Sequence, residues 1–242
     1  MLRFAELAVA STPMGELVLR RRIDPALGRE VFEVKLGDEF LMSSLFTVAE
    51  EELAREGLAV ATGQALDVIV GGLGLGYTAV TALADARVAS LTVVDALPAV
   101  IDWHERQLLP VSERLVTDPR TRLVAADFFA YARGEHLPDV ADAPVDVILL
   151  DVDHTPQHTL HPSHADLYTP EGFARLRERL RPGGVFALWS DEPPHAQMMA
   201  ELRTAFAEVT GSVVSFANPL TGGESTNGLY VAVRDGGEDT AR

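Results

Sequence analysis

Apolar and charged side chains alternate along the first 45 residues of the chain. Two segments, Glu16–Arg20 and Val31–Leu36, follow the period of two that is typical of half-exposed β-strands. Turn-forming residues separate them, with proline and glycine in Asp24–Gly28 and a second turn at Gly37–Asp38. The pattern predicts a small module of β-hairpins in this part of the chain.

A connecting helix is predicted to follow the hairpins. Thr47 and Glu50 have the spacing of a capping box, in which the hydroxyl and the carboxylate each satisfy a backbone amide of the first helical turn. We therefore expect a helix over Val48–Gly57.

After residue 65, short continuous apolar runs alternate with helical segments. Runs of Val, Ile and Leu without polar alternation are typical of strands buried on both faces of a parallel sheet. The predicted strands are Leu66–Val70, Leu91–Asp95, Arg122–Ala125, Val145–Leu150, Val185–Trp189, Val213–Ala217 and Leu229–Val233. The predicted helices are Tyr77–Ala84, Ala99–Leu109, Ala165–Leu180 and His195–Phe206. This order predicts an α/β fold with a doubly wound sheet, with domains at 1–60 and 61–234 and a disordered tail at 235–242.

Composition narrows the functional classes. The chain has 242 residues, 47% of them hydrophobic and 23% charged, which is ordinary for a globular protein. A net charge of −16 argues against binding nucleic acid or anionic membranes, and it is compatible with a cationic substrate. The absence of cysteine excludes disulfides and thiolate nucleophiles. The first residues show no signal-peptide pattern, so we expect a cytoplasmic protein.

A glycine-rich loop follows the first strand of the α/β region. Gly72, Gly74 and Gly76 allow the backbone to pass close to a ligand and to turn sharply into a helix. The dinucleotide fingerprint requires its last glycine where this chain has Tyr77. The spacing Gly-x-Gly-x-Gly is instead typical of domains that bind S-adenosylmethionine (AdoMet), and a tight turn without a ligand is the alternative.

Two acids follow the next two strands. Asp95 ends the second strand, where a carboxylate can accept both ribose hydroxyls of an adenosine. Asp127 follows the third strand, where it can meet the exocyclic amine of adenine. Together with the glycine loop, these acids predict a nucleoside site.

The order of motifs resembles the spermidine synthase-like family of class I AdoMet-dependent transferases over most of the chain. The matching segments are Gly37–Phe40, Gly71–Gly76, Asp95, Asp118–Arg120, Ala126–Asp127, Asp146–Asp153, Leu167–Phe173 and Leu180–Val185. The resemblance implies a Rossmann-like, seven-stranded, mostly parallel sheet with a small β-hairpin domain before it, and a homodimer. It also implies adenosine binding by Asp95 and Asp127, and an Asp151 that handles the nucleophilic amine.

The chain departs from this family at two places. Aminopropyltransferases carry an aspartate in the glycine loop that holds the donor's amino group, and here that position is Gly74. The family's Tyr-His-Glu after the hairpins is replaced by Met42, Ser43 and Ser44.

An acidic and histidine-rich segment follows the fourth strand. Asp151 and Asp153 are candidate bases, and His154 is a candidate proton relay. Four of the seven histidines lie between His154 and His164, and His158 is a candidate substrate contact. A metal site and a purely structural loop are the alternatives; Pro156 interrupts any helix that would align the imidazoles, and we expect no metal.

Further candidate substrate contacts surround the end of the fifth strand. Trp189, Asp191 and Glu192 have the chemistry to hold a cationic amine, although the two acids are equally typical of a helix N-terminus. Tyr77, directly after the glycine loop, is a candidate wall of the same site, with a core position as the alternative.

The predicted activity is group transfer to a small molecule, with an amine as the expected acceptor. Methyl transfer from AdoMet is preferred, because Gly74 removes the acid that suits the amine-only tail of decarboxylated AdoMet. Aminopropyl transfer from decarboxylated AdoMet is the first alternative. A catalytically silent nucleoside-binding scaffold is the second.

Overall fold

A computed structural model describes residues 4–12, 15–152, 155, 159–218 and 220–237. The chain begins with a four-stranded antiparallel sheet in which consecutive strands are neighbours. Its strands are β1 (Phe4–Thr12), β2 (Gly15–Ile23), β3 (Glu30–Leu36) and β4 (Glu39–Ser43).

The two faces of this small sheet have different chemistry. Leu17, Leu19 and Val34 lie on the buried face, as the alternation of the sequence predicts. On the other face, Glu33 is 3% exposed and accepts hydrogen bonds from Arg20 Nε at 2.7 Å and Arg22 Nε at 2.9 Å. The buried carboxylate is thus paired on both sides.

The remainder of the chain forms a seven-stranded sheet flanked by helices. Its strands are β5 (Leu66–Gly71), β6 (Val88–Asp95), β7 (Thr121–Ala125), β8 (Val145–Leu150), β9 (Leu180–Ser190), β10 (Glu208–Asn218) and β11 (Gly223–Val233). The helices are α1 (Val48–Val60), α2 (Tyr77–Leu83), α3 (Pro98–Glu105), α4 (Ser112–Thr117), α5 (Phe128–Ala132), α6 (Pro170–Arg177) and α7 (Ala196–Leu202). A short 3-10 helix spans Pro162–Asp166.

The strand order is β10-β11-β9-β8-β5-β6-β7, and the five strands from β9 to β7 are parallel. Strand β11 is antiparallel to both of its neighbours. This confirms the predicted seven-stranded, mostly parallel α/β fold with a small antiparallel sheet before it. Because β5, β6, β7 and β8 are parallel, the loops after them meet at one edge of the sheet.

The start of α1 differs from the prediction. The helix begins at Val48 as expected, but Thr47 does not cap it, and its hydroxyl donates to Glu51 Oε1 at 3.0 Å. The capping-box prediction is therefore wrong, since the hydroxyl bonds to the acid one position beyond Glu50. The helix also continues past Gly57 to Val60.

Three other helix predictions are wrong in their extent, and the one over His195–Phe206 ends at Leu202. The predicted helix Ala99–Leu109 ends at Glu105, because Gln107 adopts a left-handed conformation with φ of 55°. The predicted helix Ala165–Leu180 begins only at Pro170, where Thr169 Oγ1 accepts a hydrogen bond from Gly172 N at 3.0 Å.

Helices α4 and α5 were not predicted from the sequence, and both are short. No helix in the described ranges has the length and apolar character needed to span a membrane. Of the predicted disordered tail, residues 235–237 are exposed and residues 238–242 lie outside the described part of the chain.

Helix α1 packs closely on the seven-stranded sheet at Gly57. A Cβ atom at this position would lie 2.7 Å from Leu149 Cδ2 and 3.1 Å from Ala187 Cβ, so the helix backbone rests almost directly on β8 and β9. Leu149 is fully buried. The close approach fixes the height of α1 above the sheet.

We expect Gly57→Val to lower the free energy of unfolding by about 1–3 kcal/mol, because the added methyl groups overpack this contact. Ala59→Val is the matched control, since Ala59 is exposed on the same helix and its substitution costs only helix propensity. Urea unfolding of the three proteins measures the difference. Equal stability of the two variants would contradict the proposed close packing.

Candidate active site

The glycine loop begins where β5 meets β8. Asp151 N donates to Gly71 O at 2.8 Å, and a Cβ atom at Gly72 would collide with the carbonyl oxygen of Asp151. Gly72, Gly74 and Gly76 have φ values of 93°, 47° and 88°, which L side chains rarely adopt. The loop therefore requires glycine both for its conformation and for its contact with the segment after β8.

Asp95 accepts hydrogen bonds from the backbone of this loop and of the segment after β6. Its Oδ2 accepts a hydrogen bond from Leu73 N and its Oδ1 accepts one from Leu97 N, both at 2.8 Å. Burial raises the pKa of Asp95, while these backbone hydrogen bonds act in the opposite direction. The Gly74 amide also lowers this pKa through a backbone hydrogen bond, so one lone pair of the carboxylate is left for a ligand hydroxyl.

A cavity of about 360 Å³ lies beside Asp95. Its walls are mostly apolar, with a few polar groups, which is typical of a small-molecule site. The lining residues include Leu41, Met42, Gly72, Gly74, Val94, Asp95, Ala96, Leu97, Asp127, Phe128, Phe129, Asp151, Val152, Leu160, His161, Ser163 and His164. It brings together Gly72, Gly74, Asp95 and Asp127, and we call it the nucleoside cavity after the ligand that the sequence predicts for these residues.

Asp127 has a structural role as well as a place in this cavity. Its Oδ1 accepts a hydrogen bond from Phe129 N at 2.8 Å and caps α5. Its Oδ2 lies 3.5 Å from the guanidinium of Arg133, and the side chain is 44% exposed. One carboxylate oxygen thus remains accessible to a ligand.

A second, smaller cavity of about 120 Å³ continues from the first. The two share Leu41, Met42, Gly74, Asp151, Val152 and Leu160. Only the smaller one is also lined by Glu50, Leu73, Leu75, Gly76, Tyr77 and Trp189. We call it the acid cavity because Glu50 and Asp151 are its charged lining residues in the described part of the chain.

Asp151 lies at the junction of the two cavities. Thr78, itself 3% exposed, donates a hydrogen bond from Oγ1 to Asp151 Oδ2 at 2.7 Å. Burial raises the pKa of Asp151 to about 6 despite this hydrogen bond. An acid with a pKa near neutrality has the properties of a general base.

Glu50 is a site residue that the sequence did not reveal. Burial, followed by the charge of Asp151, raises its pKa to about 8. Helix α1 carries three consecutive glutamates near its start, and nothing in their pattern distinguishes the one that faces the protein. The apparent capping box assigned Glu50 to the helix end instead.

Neighbouring side chains complete the wall of the acid cavity. A Cβ atom at Gly74 would lie 3.0 Å from Met42 Sδ, so the thioether lies where the first atom of a side chain would extend from the loop. Tyr77 lies against the same cavity, and burial raises its pKa. The segment that replaces the family's Tyr-His-Glu therefore contacts the loop.

Other predicted residues lie elsewhere. Asp191 and Glu192 are exposed and line neither cavity, because the Asp191 carboxylate turns to accept a hydrogen bond from Asn227 Nδ2 at 3.0 Å. They also precede α7 without entering its first turn. Asp153, His154 and His158 lie outside the described residues.

The histidine-rich segment reaches the nucleoside cavity through its last two members. His161 lines the cavity, and His164 stacks on Phe129 with 3.7 Å between ring centroids. Within the described ranges, no group of three His, Asp or Glu side chains has the arrangement of a metal site.

A larger open groove of about 600 Å³ runs along α1 and α2. Two of its three arginines are already paired, since Arg55 bonds to Glu51 and Glu52, and Arg87 bonds to Asp85, while Arg114 is exposed to solvent. Surface ion pairs of this kind are ordinary features of helices. The groove is therefore a weaker candidate for a ligand site than the two connected cavities.

The chain is similar in sequence to a polyamine aminopropyltransferase and in structure to spermidine synthases. No protein-family model matches the chain. Polyamine aminopropyltransferase 2 of Pseudomonas aeruginosa is 30% identical over 164 residues, which cover 65% of this chain and 44% of that protein. The match thus spans less than half of the relative's length. The resemblance to the spermidine synthase-like family is confirmed.

Solved structures agree on the fold of the chain. A spermidine synthase in complex with the transition state analogue AdoDATO and the spermidine synthase from Thermotoga maritima both superimpose with a TM-score of 0.70. Each is 17% identical, and each match covers 95% of this chain and 72% of the other.

We expect Asp95→Asn to weaken binding of a nucleoside such as methylthioadenosine by roughly 1.5–3 kcal/mol, because an amide replaces a charged acceptor. Isothermal titration calorimetry measures the affinity. Asp102→Asn, an exposed substitution on α3, is the control and should leave the affinity unchanged. Equal affinities of the two variants, or binding of NAD in place of the nucleoside, would contradict the nucleoside site.

Proposed function

We propose that the protein is an aminopropyltransferase that uses decarboxylated AdoMet and a small amine. The name of the Pseudomonas relative supports this choice over the methyl transfer that the sequence alone favoured. The residues of the two connected cavities support it independently, through their charge.

The acid cavity carries the proposal. Glu50 and Asp151 lie in its wall, and its described lining includes no lysine or arginine. A ligand tail that extends from the nucleoside cavity past Gly74 and Asp151 enters this space. The tail of AdoMet would bring a carboxylate next to two acids, whereas the tail of decarboxylated AdoMet brings only an ammonium group.

This charge distribution removes the reason for preferring methyl transfer. That preference rested on Gly74, which lacks the acid expected in the loop. In the folded chain, α1 supplies a carboxyl group to the same cavity through Glu50. The acid is therefore present, although it comes from another element.

The proposed reaction needs little covalent help from the protein. The lone pair of the acceptor amine attacks the aminopropyl carbon bonded to the sulfonium, and a C–N bond forms as the C–S bond breaks. The electron pair of that bond neutralises sulfur, which leaves as methylthioadenosine. The protein must align the reactants, exclude water and remove one proton.

Asp151 is the proposed acceptor of that proton. It lies where the two cavities join, and Thr78 fixes the orientation of its carboxylate. Asp95 and Asp127 are the proposed contacts of the ribose and the adenine. Tyr77 and Trp189 are proposed walls of the amine path, where aromatic faces favour a cation.

The mass of the product tests the reaction. Incubation with decarboxylated AdoMet and a panel of small diamines is expected to add one aminopropyl group to the acceptor and to release methylthioadenosine. A product that gains a methyl group from AdoMet would refute the proposal. Saturable nucleoside binding without turnover of either donor would favour the scaffold alternative.

Glu50→Gln tests the acid cavity. We expect the ratio of affinities for decarboxylated AdoMet over methylthioadenosine to fall at least tenfold, roughly the effect of losing a charged hydrogen-bond partner. Glu52→Gln is the matched control on the same helix, because Glu52 pairs with Arg55 outside the cavity. Calorimetry in the absence of an acceptor amine measures binding of the donor alone, so an effect on the donor tail is not confused with an effect on acceptor binding.

The ratio of affinities for decarboxylated AdoMet over methylthioadenosine is also expected to depend on pH in the wild-type protein. It should rise between pH 6 and pH 8, since Asp151 and Glu50 lose their protons over this range while the ligand amine stays protonated. In Glu50→Gln, the part of the rise nearest pH 8 should disappear. A pH-independent ratio in the wild type would argue against recognition of the tail by these acids.

A further inference from the structure

A buried histidine that does not belong to the two cavities contacts the glycine loop. His104 lies on α3 and is 0% exposed. Its Nε2 is 3.0 Å from the carbonyl oxygen of Gly74, and its Nδ1 is 3.0 Å from Ser112 Oγ. Neither the acids of the site nor the proposed reaction uses this side chain.

The partners of His104 determine its tautomer. A carbonyl oxygen only accepts hydrogen bonds, so Nε2 carries the proton and donates it to Gly74. Nδ1 then presents its lone pair, which accepts the hydroxyl proton of Ser112. Burial lowers the pKa of His104 and favours this neutral form.

The imidazole ring also packs on the loop. A Cβ atom at Gly76 would lie 2.8 Å from His104 Cε1, so the ring lies directly against the backbone of that glycine. The Gly74 carbonyl belongs to a trans peptide, and fixing it also fixes the direction of the Leu75 N–H. One contact therefore orients two polar groups of the loop.

Glycine-rich segments need such a support. The three glycines of the loop occupy left-handed conformations and have no side chains with which to hold them. Asp95 accepts a hydrogen bond from the Leu73 N–H, and His104 binds the carbonyl of the next residue, Gly74. A loop held at two successive residues does not need to be ordered by its ligand.

We propose that His104 is a positioning residue, which holds the glycine loop in its ligand-binding conformation through the Nε2–H bond to Gly74 and thereby sets the affinity for the donor nucleoside. The inference rests on the nucleoside binding proposed above. Because the apparent affinity scales with the fraction of loops in the binding conformation, loss of this bond weakens binding without removing a ligand contact.

Two amide substitutions separate the roles of the ring nitrogens. In His104→Gln, the longer side chain can place an N–H near the position of Nε2 and keep the bond to Gly74. In His104→Asn, the shorter amide can reach Ser112 but not Gly74. We expect Asn to weaken methylthioadenosine binding about five- to tenfold, the equivalent of one net hydrogen bond, and Gln to restore most of it.

Calorimetry with methylthioadenosine and steady-state kinetics provide the readouts. His104→Asn should raise the KM for the donor and leave the KM for the acceptor unchanged. Leu202→Ala is a control for general destabilisation, since Leu202 is fully buried on α7 outside both cavities, and it should lower the Tm without changing the affinity.

The outcomes are distinct. Equal affinities of wild type, Asn and Gln variants would overturn the role of His104, as would a loss of affinity in Leu202→Ala that matches the loss in His104→Asn. Failure of the wild-type protein to bind methylthioadenosine would instead overturn the nucleoside site, and with it both proposals.

Discussion

The backbone contact between Gly72 and Asp151 is the constraint on which the rest of the site depends. Strands β5 and β8 are parallel neighbours, and the Asp151 N–H continues their ladder to Gly71 O. Because Gly72 has no side chain, the carbonyl of Asp151 can lie directly against it. The proposed base and the glycine loop therefore share one rigid edge of the sheet, and neither can shift without the other.

The second carboxyl group depends on a different contact. Glu50 comes from the first turn of α1, and α1 rests on Leu149 and Ala187 through Gly57. Thr78 links the two elements, since its hydroxyl lies 2.7 Å from Asp151 Oδ2 and 3.2 Å from the Glu50 carbonyl oxygen. A helix that belongs to neither the loop nor the strand thus supplies the charge that the glycine loop lacks.

The sequence predicted the lining residues of the cavities best where those residues come at the end of a strand. Asp95, Asp127 and Asp151 each follow an apolar run, and parallel strands bring such positions together whatever the details of packing. Glu50 and His104 gave no comparable signal, because their roles depend on which way one side chain of a helix faces. The prediction that Asp191 contacts the substrate was wrong for a related reason. Strand β9 pairs with the antiparallel β11, and Asn227 on that strand binds the Asp191 carboxylate.

Two partly buried acids that line the same cavity repel each other when both are ionised, and a retained proton relieves this repulsion. Glu50 has a pKa of about 8, so at neutral pH the pair retains a proton that the unfolded chain would release. Since the folded state binds more protons than the unfolded state, this pair favours folding least at high pH, and its contribution declines as pH rises from about 4.5 towards 8. In the proposed complex, a bound ammonium group would replace that proton as the compensating positive charge. The same electrostatics that make the pair of carboxylates unfavourable on its own would therefore favour a cation, and a ligand carboxylate in the same place would add a third negative charge.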